Sequence, residues 1–415
     1  MLAQPCDVVS VGHSVPFDGV DHAGGLYVHY LYRELAVEHE LHVFAPADPR
    51  NDAGLAASPP FRATILGPPP GRAARMLAAA VDLLWLRAAP TLPGPTFMLR
   101  LKTSRKVRAA LAGARVIDVQ WTDYAAALPW LRRRRPDAAV VCTMHDVLSD
   151  KWRRRAADDP SPVMRARAAV NARVAVQLEK QALRHADHVL VFSDKDAALL
   201  EQIHGHHASV RVVWPPLAAG MPVVERSPGP RARNVLFVGA MARPENHASA
   251  MWFLERVWGQ VVGAVPDATL TIAGSKPQAA LLEAAARAKN VTVTGFVEDL
   301  APLREFAALF AAPVVAGAGI KFKVIDAMLA GLPVVATTTA QEGIGTPDQY
   351  VAVTDDPAEF AAATIRALSD PAAMASLGSQ ASVWAASRFG LAQFRETLAE
   401  VYPAVGDDPA ARAQR

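Results

Sequence analysis

Short β-branched, apolar runs alternate with amphipathic helical stretches along this chain, and that alternation builds parallel α/β sheets. In the first half it predicts strands at Asp7–Gly12, Leu41–Ala45, Val116–Gln120, Ala138–Thr143, His188–Phe192 and Val210–Val213. Helices are expected at Gly25–Glu38, Lys102–Leu111, Asp123–Arg133 and Pro162–His185. The pattern stops near Leu217, and residues 218–233 have the proline, glycine and arginine content of a linker. It then restarts, with strands at Asn234–Val238, Thr269–Ala273, Val291–Thr294, Ala312–Val315 and Pro333–Ala336. Their helices are His247–Val262, Gln278–Ala288, Leu300–Phe306 and Lys321–Ala330, and three more follow Pro357. Two doubly wound domains result, at 1–217 and 234–385. Residues 386–415 are read as a helix packing back on the first domain, plus a polar tail. Such sheets bind ligands beyond the carboxyl ends of their strands.

An apolar fraction of 51% excludes a disordered chain. Two cysteines, Cys6 and Cys142, both in strand-like runs, make no disulfide framework and suit a reducing compartment. No cationic segment leads into an apolar one at the start, so no secretory signal is expected. The longest charge-free apolar run, Ala307–Ile320, contains Pro313 and falls short of the roughly 20 residues of a spanning helix. A cytoplasmic protein is expected, with peripheral contact at the inner membrane surface left open. Arginines cluster at Arg132–Arg135 and Arg153–Arg155, near Arg165, Arg167 and Arg173. Such a patch can track phosphate or anionic lipid. Solvated helix ends explain it as well, and 40 acidic residues nearly balance 43 basic ones, so no nucleic-acid partner is expected.

Four strand ends carry the chemistry. Gly12-His13-Ser14 closes the first strand, and Gly24-Gly25 opens the next helix, where backbone N–H groups can approach an anion. His145 directly follows the Val140–Thr143 run, with Asp146 beside it to orient the imidazole. Arg243, Asn246 and His247 follow Val238-Gly239, with Glu245 in their midst. The most informative stretch runs from Gly317 through Gly319, Ile320, Lys321 and Lys323 to Asp326. Two of the chain's nine lysines sit there at a helix start, which the helix dipole disfavours unless an anion binds. Asp326, about one turn beyond Lys323, suits sugar or ribose hydroxyls. Asp194-Lys195-Asp196 reads as a helix start capped by Ser193 rather than a metal site. His204, His206 and His207 read as a surface loop.

Gly317–Met328, with Ala330–Thr337 and Gln341–Gly345, resembles the donor-binding signature of family-4, group-1 glycosyltransferases, in their Gly-Ile-Lys-x-Lys subgroup. Phe237-Val238-Gly239, Ala273-Gly274-Ser275 and Thr294–Asp299 match that family's other second-domain motifs. Ala23-Gly24-Gly25, Thr143-Met144-His145 and Ala186–Ser193 add looser matches in the first half. The resemblance implies a GT-B fold, two facing Rossmann-like domains, and retaining transfer from a nucleotide-sugar donor to a hydroxyl acceptor on a glycan, lipid or small metabolite. Gly25, with Gly24, would lie against the diphosphate, and His145 near the transferred sugar. Gly317 to Lys321 would cradle sugar and phosphates, Asp326 would take the ribose hydroxyls, and the backbone around Val297 would hold the base. Gly274 belongs to the same donor face. His145 and Asp326 are the catalytic candidates, and no metal or other cofactor is expected.

Two departures stand out. The family pairs carboxylates eight residues apart, whereas Ala318 stands eight before Asp326 and Ala316 is no more acidic. Its arginine and lysine after the first strand of the second domain fall near Ala240 and Asn246, so Lys321 and Lys323, helped by Arg243, would supply that charge. The alternatives are a GT-B nucleotide-sugar epimerase, or a non-catalytic basic protein binding nucleic acid or anionic membrane. Within Ser58–Thr96, the apolar stretch Met76–Leu86, interrupted by Asp82, is expected to pack on its own domain or to touch lipid or acceptor.

Overall fold

A computed structural model describes residues 7–17, 23–68, 71–219 and 233–402. Cys6, most of the expected linker and the tail after Tyr402 lie outside them. The chain divides into two compact units, residues 1–213 with 394–415, and residues 214–393.

Among the described residues, the first unit holds seven parallel strands: β1 (Val8–Val11), β2 (Leu41–Pro46), β3 (Arg62–Leu66), β4 (Val116–Gln120), β5 (Ala139–Thr143), β6 (His188–Val191) and β7 (Val210–Val212). Their order is β3-β2-β1-β4-β5-β6-β7, so the winding reverses at β1. Central strands buried on both faces read as unbroken apolar runs, as Val140-Val141-Cys142 does in β5. The helix Leu391–Val401 joins this unit: Phe394 packs edge-on against Tyr27, and Arg395 pairs with Glu34 at 2.6 Å.

Among the described residues, the second unit holds six parallel strands: β8 (Asn234–Val238), β9 (Thr269–Ala273), β10 (Val291–Gly295), β11 (Leu309–Ala312), β12 (Val334–Ala336) and β13 (Ala352–Val353). Their order is β10-β9-β8-β11-β12-β13, again reversing at the first strand. Trp258, Phe253 and Phe360 fill the core between that sheet and its helices. Each sheet is the doubly wound α/β arrangement expected.

Several expectations shift. The strand expected at Ala312–Val315 lies three residues earlier, because Pro313 has no N–H for the ladder and ends it. The helix expected at Lys102–Leu111 is two, Pro95–Thr103 and Arg105–Gly113, with Ser104 capping the second through Val107 N–H. His204 is no surface residue: its Nε2 meets Glu179 Oε2 at 2.8 Å with both side chains buried. Ser193 does cap the Asp194–His204 helix. The apolar stretch around Met76–Leu86 forms the helix Arg72–Ala88, which lies against its own unit through Asp82, the acceptor of the Thr96 N–H, while none of its residues is fully buried. Among the described residues, no helix is long and apolar enough to cross a membrane.

Candidate active site

Ligands of doubly wound sheets bind where the strand order reverses, which is at β1 and β4 in the first unit and at β8 and β11 in the second. The first unit carries a buried polar row there. Asp118 and Gln120, two apart on β4, share a face. Parallel register sets Ser10 beside Asp118 and Thr143 beside Gln120. Asp118 accepts hydrogen bonds from Ser10 Oγ at 2.5 Å, Gln120 Nε2 at 2.8 Å and Tyr402 OH at 2.8 Å. Complete burial still pushes its carboxyl up to about 6.

That row fixes the imidazole of His145. A carboxylate only accepts, so the Gln120 amide nitrogen must face Asp118, and it also donates to Thr143 Oγ1 at 3.1 Å. Gln120 Oε1 is left to face His145 Nε2 at 3.1 Å, which places the imidazole proton on Nε2. The ring lies flat on Trp121, centroids 4.3 Å apart, with Tyr27 and Phe192 against its edges. Trp121 itself has φ +71° and ψ 141°, a sparsely populated conformation costing about 1–3 kcal/mol outside glycine. It also meets the ring of His13, which pairs with Asp123 at 2.7 Å. Gly24 and Gly25 form the first turn of the helix Ala23–Glu38. A Cβ on Gly24 would stand 2.9 Å from His145 Nδ1 and 3.2 Å from Trp121 Nε1, so only glycine lets the rings approach. Asp146 does not orient His145 as expected. It pairs with Lys151 at 3.0 Å, and Gln120 holds the imidazole.

In the second unit, three loops knit together beyond β8, β9 and β10. Gly239 N–H bonds the Ala273 carbonyl and Gly274 N–H the Gly295 carbonyl, both at 2.9 Å. A Cβ on Gly274 would fall 1.7 Å from the Gly239 oxygen. Val297 lies half-buried in the loop after β10. Gly317 and Gly319, after β11, adopt φ +124° and +70°, and Ile320 leads into the helix Phe322–Leu329 with Lys321 at its N-cap.

Lys321 Nζ donates to the Gly319 carbonyl at 2.5 Å, and Lys323 Nζ to Asn246 Oδ1 at 2.8 Å. The Lys323 ammonium also lies 5.1 Å from the Phe237 ring centre. Burial, then repulsion from Lys321 and Arg243 against the attraction of Glu245, lowers the Lys323 ammonium from 10.5 to about 7. This end of the helix is therefore electropositive and lacks an acidic first turn. Asp326 pairs with Arg304 at 2.5 Å; burial raises its carboxyl, and Arg304 opposes that.

The structure thus brings Arg243, Asn246, Lys321 and Lys323 to one strand edge, with Gly317 and Gly319 in its loops, and Gly24 to His145 at another. Gln120, Trp121, Asp118 and Arg304 were missed by the sequence reading. Only Asp118 and Gln120 left a signal, as polar residues two apart in an otherwise apolar strand.

A family model described as glycosyl transferase 4-like domain matches residues 23–216, and one described as glycosyl transferases group 1 matches residues 232–370. A 44.6 kDa protein in the cps region of Klebsiella pneumoniae is 33% identical over 132 residues, 30% of this chain and 34% of that protein. The chain thus aligns with about a third of the length of that curated relative. Among solved structures, sucrose-phosphate synthase from Thermosynechococcus elongatus superposes with a TM-score of 0.69 at 18% identity, over 95% of this chain and 98% of that one. HepE of Anabaena, solved with UDP-glucose, gives 0.64 at 16% identity over the same shares. The trehalose 6-phosphate synthase of Burkholderia multivorans gives 0.63 at 14% over 99% of both chains. By its two domains the chain belongs with the glycosyltransferases, a glycosyl transferase 4-like domain followed by a group 1 domain on a GT-B fold.

Proposed function

We propose that this protein transfers a sugar from a nucleoside-diphosphate-sugar donor to a hydroxyl acceptor with retention of anomeric configuration and without a divalent metal. One observation carries the reading: Lys321, Lys323 and Arg243 gather over glycine-rich loops at the strand edge where such sheets take ligands. Cations and loop N–H groups at that edge suit a diphosphate. HepE of Anabaena, of the same fold, was solved with UDP and with UDP-glucose, which supports a diphosphate-linked donor.

In the proposed reaction, the bond between the anomeric carbon and the diphosphate oxygen breaks as Lys321 and Lys323 take up the charge developing on the phosphates. The acceptor hydroxyl attacks from the face the diphosphate leaves, and its proton passes to a phosphate oxygen. His145, fixed by Gln120 and Trp121, contacts the transferred sugar. Asp326 takes the ribose hydroxyls while held by Arg304, and the backbone at Val297 receives the base.

Lys321→Ala should weaken nucleotide-sugar binding by about 1–3 kcal/mol, the scale of charge-assisted contacts. His145→Ala should lower turnover at least about tenfold, with little change in melting temperature. Proton NMR of the first product formed should show the donor's anomeric configuration. Inverted product would remove the retaining mechanism, and unchanged donor affinity in Lys321→Ala would move the phosphate site. Isomerised sugar without acceptor would favour an epimerase.

A further inference from the structure

The helix Arg72–Ala88 is amphipathic in the reverse sense. Ala74, Ala78 and Asp82, successive turns on one face, are its half-buried positions. Asp82 is held from the protein side, accepting the Thr96 N–H at 3.1 Å. The large residues point away: Met76 and Leu77 are each 67% exposed, Leu84 65% and Leu86 60%. Val81 and Leu83 are exposed with them. A globular chain rarely leaves so long an apolar face to water unless something covers it.

Charge selects the cover. Arg72 and Arg75 open the helix and Arg87 closes it, while its one carboxylate, Asp82, is turned inward. The helix Pro162–His185 continues the surface: Arg167 donates to the Arg87 carbonyl, and Val163, Met164 and Arg165 are exposed at its start. A second copy of the chain, packed antiparallel on this helix, would set arginines against arginines. A bilayer bearing anionic headgroups meets both the apolar arc and its cationic ends.

We infer that the helix Arg72–Ala88 lies flat on an anionic lipid surface, its leucines among the acyl chains and Arg72, Arg75 and Arg87 at the headgroups. This inference is independent of the proposed transfer reaction. It is tested by sedimenting the full chain with vesicles of phosphatidylcholine alone and of phosphatidylcholine mixed with phosphatidylglycerol. Wild type should bind the mixed vesicles at least about tenfold more tightly than the neutral ones, and less tightly as salt rises. The double variant Leu77→Glu, Leu84→Glu changes only exposed positions and should lose at least about tenfold in that binding. A triple variant of Arg72, Arg75 and Arg87 to Gln should lose the preference for phosphatidylglycerol. Equal binding of wild type and the leucine variant, or no sedimentation of wild type, would overturn the inference. So would light scattering that shows a wild-type dimer which the leucine variant abolishes without any vesicle binding, because the face would then belong to a second copy.

Discussion

Donor binding should draw a proton onto Lys323. With its ammonium lowered to about 7, roughly one Lys323 in ten is protonated in the free protein at pH 8. A diphosphate beside it favours the charged form, so binding at pH 8 should take up about 0.9 proton, and at pH 6 only about 0.1. Above pH 7 the affinity should fall by up to about tenfold per pH unit, about 1.4 kcal/mol, until the pKa of the complex is reached. The same shift bears on folding with a definite sign. The folded pKa lies below 10.5, so the unfolded chain holds the extra proton, and this lysine alone makes stability rise between about pH 7 and 10.5. The assay is calorimetric titration with a UDP-sugar, whose phosphate diesters do not titrate in this range, in buffers of different ionisation enthalpy. Lys323→Met is the control and should abolish the uptake. Uptake below about 0.2 proton at pH 8, or uptake that persists in Lys323→Met, would refute the reasoning.

Gly24→Ala should cost turnover more than stability, since its Cβ must displace the His145 and Trp121 rings; a loss of at least about tenfold in kcat with a nearly unchanged Tm is expected, and an unchanged kcat would disconnect those rings from the chemistry. For Asp118 the folded carboxyl, at about 6, lies above its usual 3.8, so its contribution is present below about pH 4 and lost as pH rises through 6. Urea denaturation at pH 4.5 and 7.5 should show this decline, up to about 2 kcal/mol, in wild type and not in Asp118→Asn; parallel curves would assign it to other groups. Turnover in excess EDTA should stay close to the untreated rate, and a collapse reversed by magnesium or manganese would hand the role of the lysines to a metal.

The sheets were legible because their central strands are buried and read as short runs rich in Val, Ile, Leu and Ala, broken by a few polar residues such as Ser10, Asp118 and Gln120. The edges were not. Arg62–Leu66 is only half-buried, and Ala352–Val353 is two residues long, so neither carries a strand's periodicity. Lys321 and Lys323 could be read from sequence because two cations at a helix start contradict the local field. Asn246 followed from its place after Gly239, but its hydrogen bond to Lys323 spans 77 positions and no local pattern encodes it. Arg304 is hidden for the same reason, its partner Asp326 lying on another helix. Gln120 and Trp121 escaped because register across β4 and β5, and one backbone angle, decide what they touch.

The hydroxyl of Tyr402 on Asp118 has a consequence for synthesis. Residues up to Val213 emerge from the ribosome before the segment that begins at Phe394, with roughly 180 residues between them, or roughly 10–40 s at bacterial and eukaryotic elongation rates. Throughout that interval the nascent sheet lacks the phenol that hydrogen-bonds its central carboxylate and the ring that packs on Tyr27. Of the two units, the one translated earlier is therefore the later to be finished.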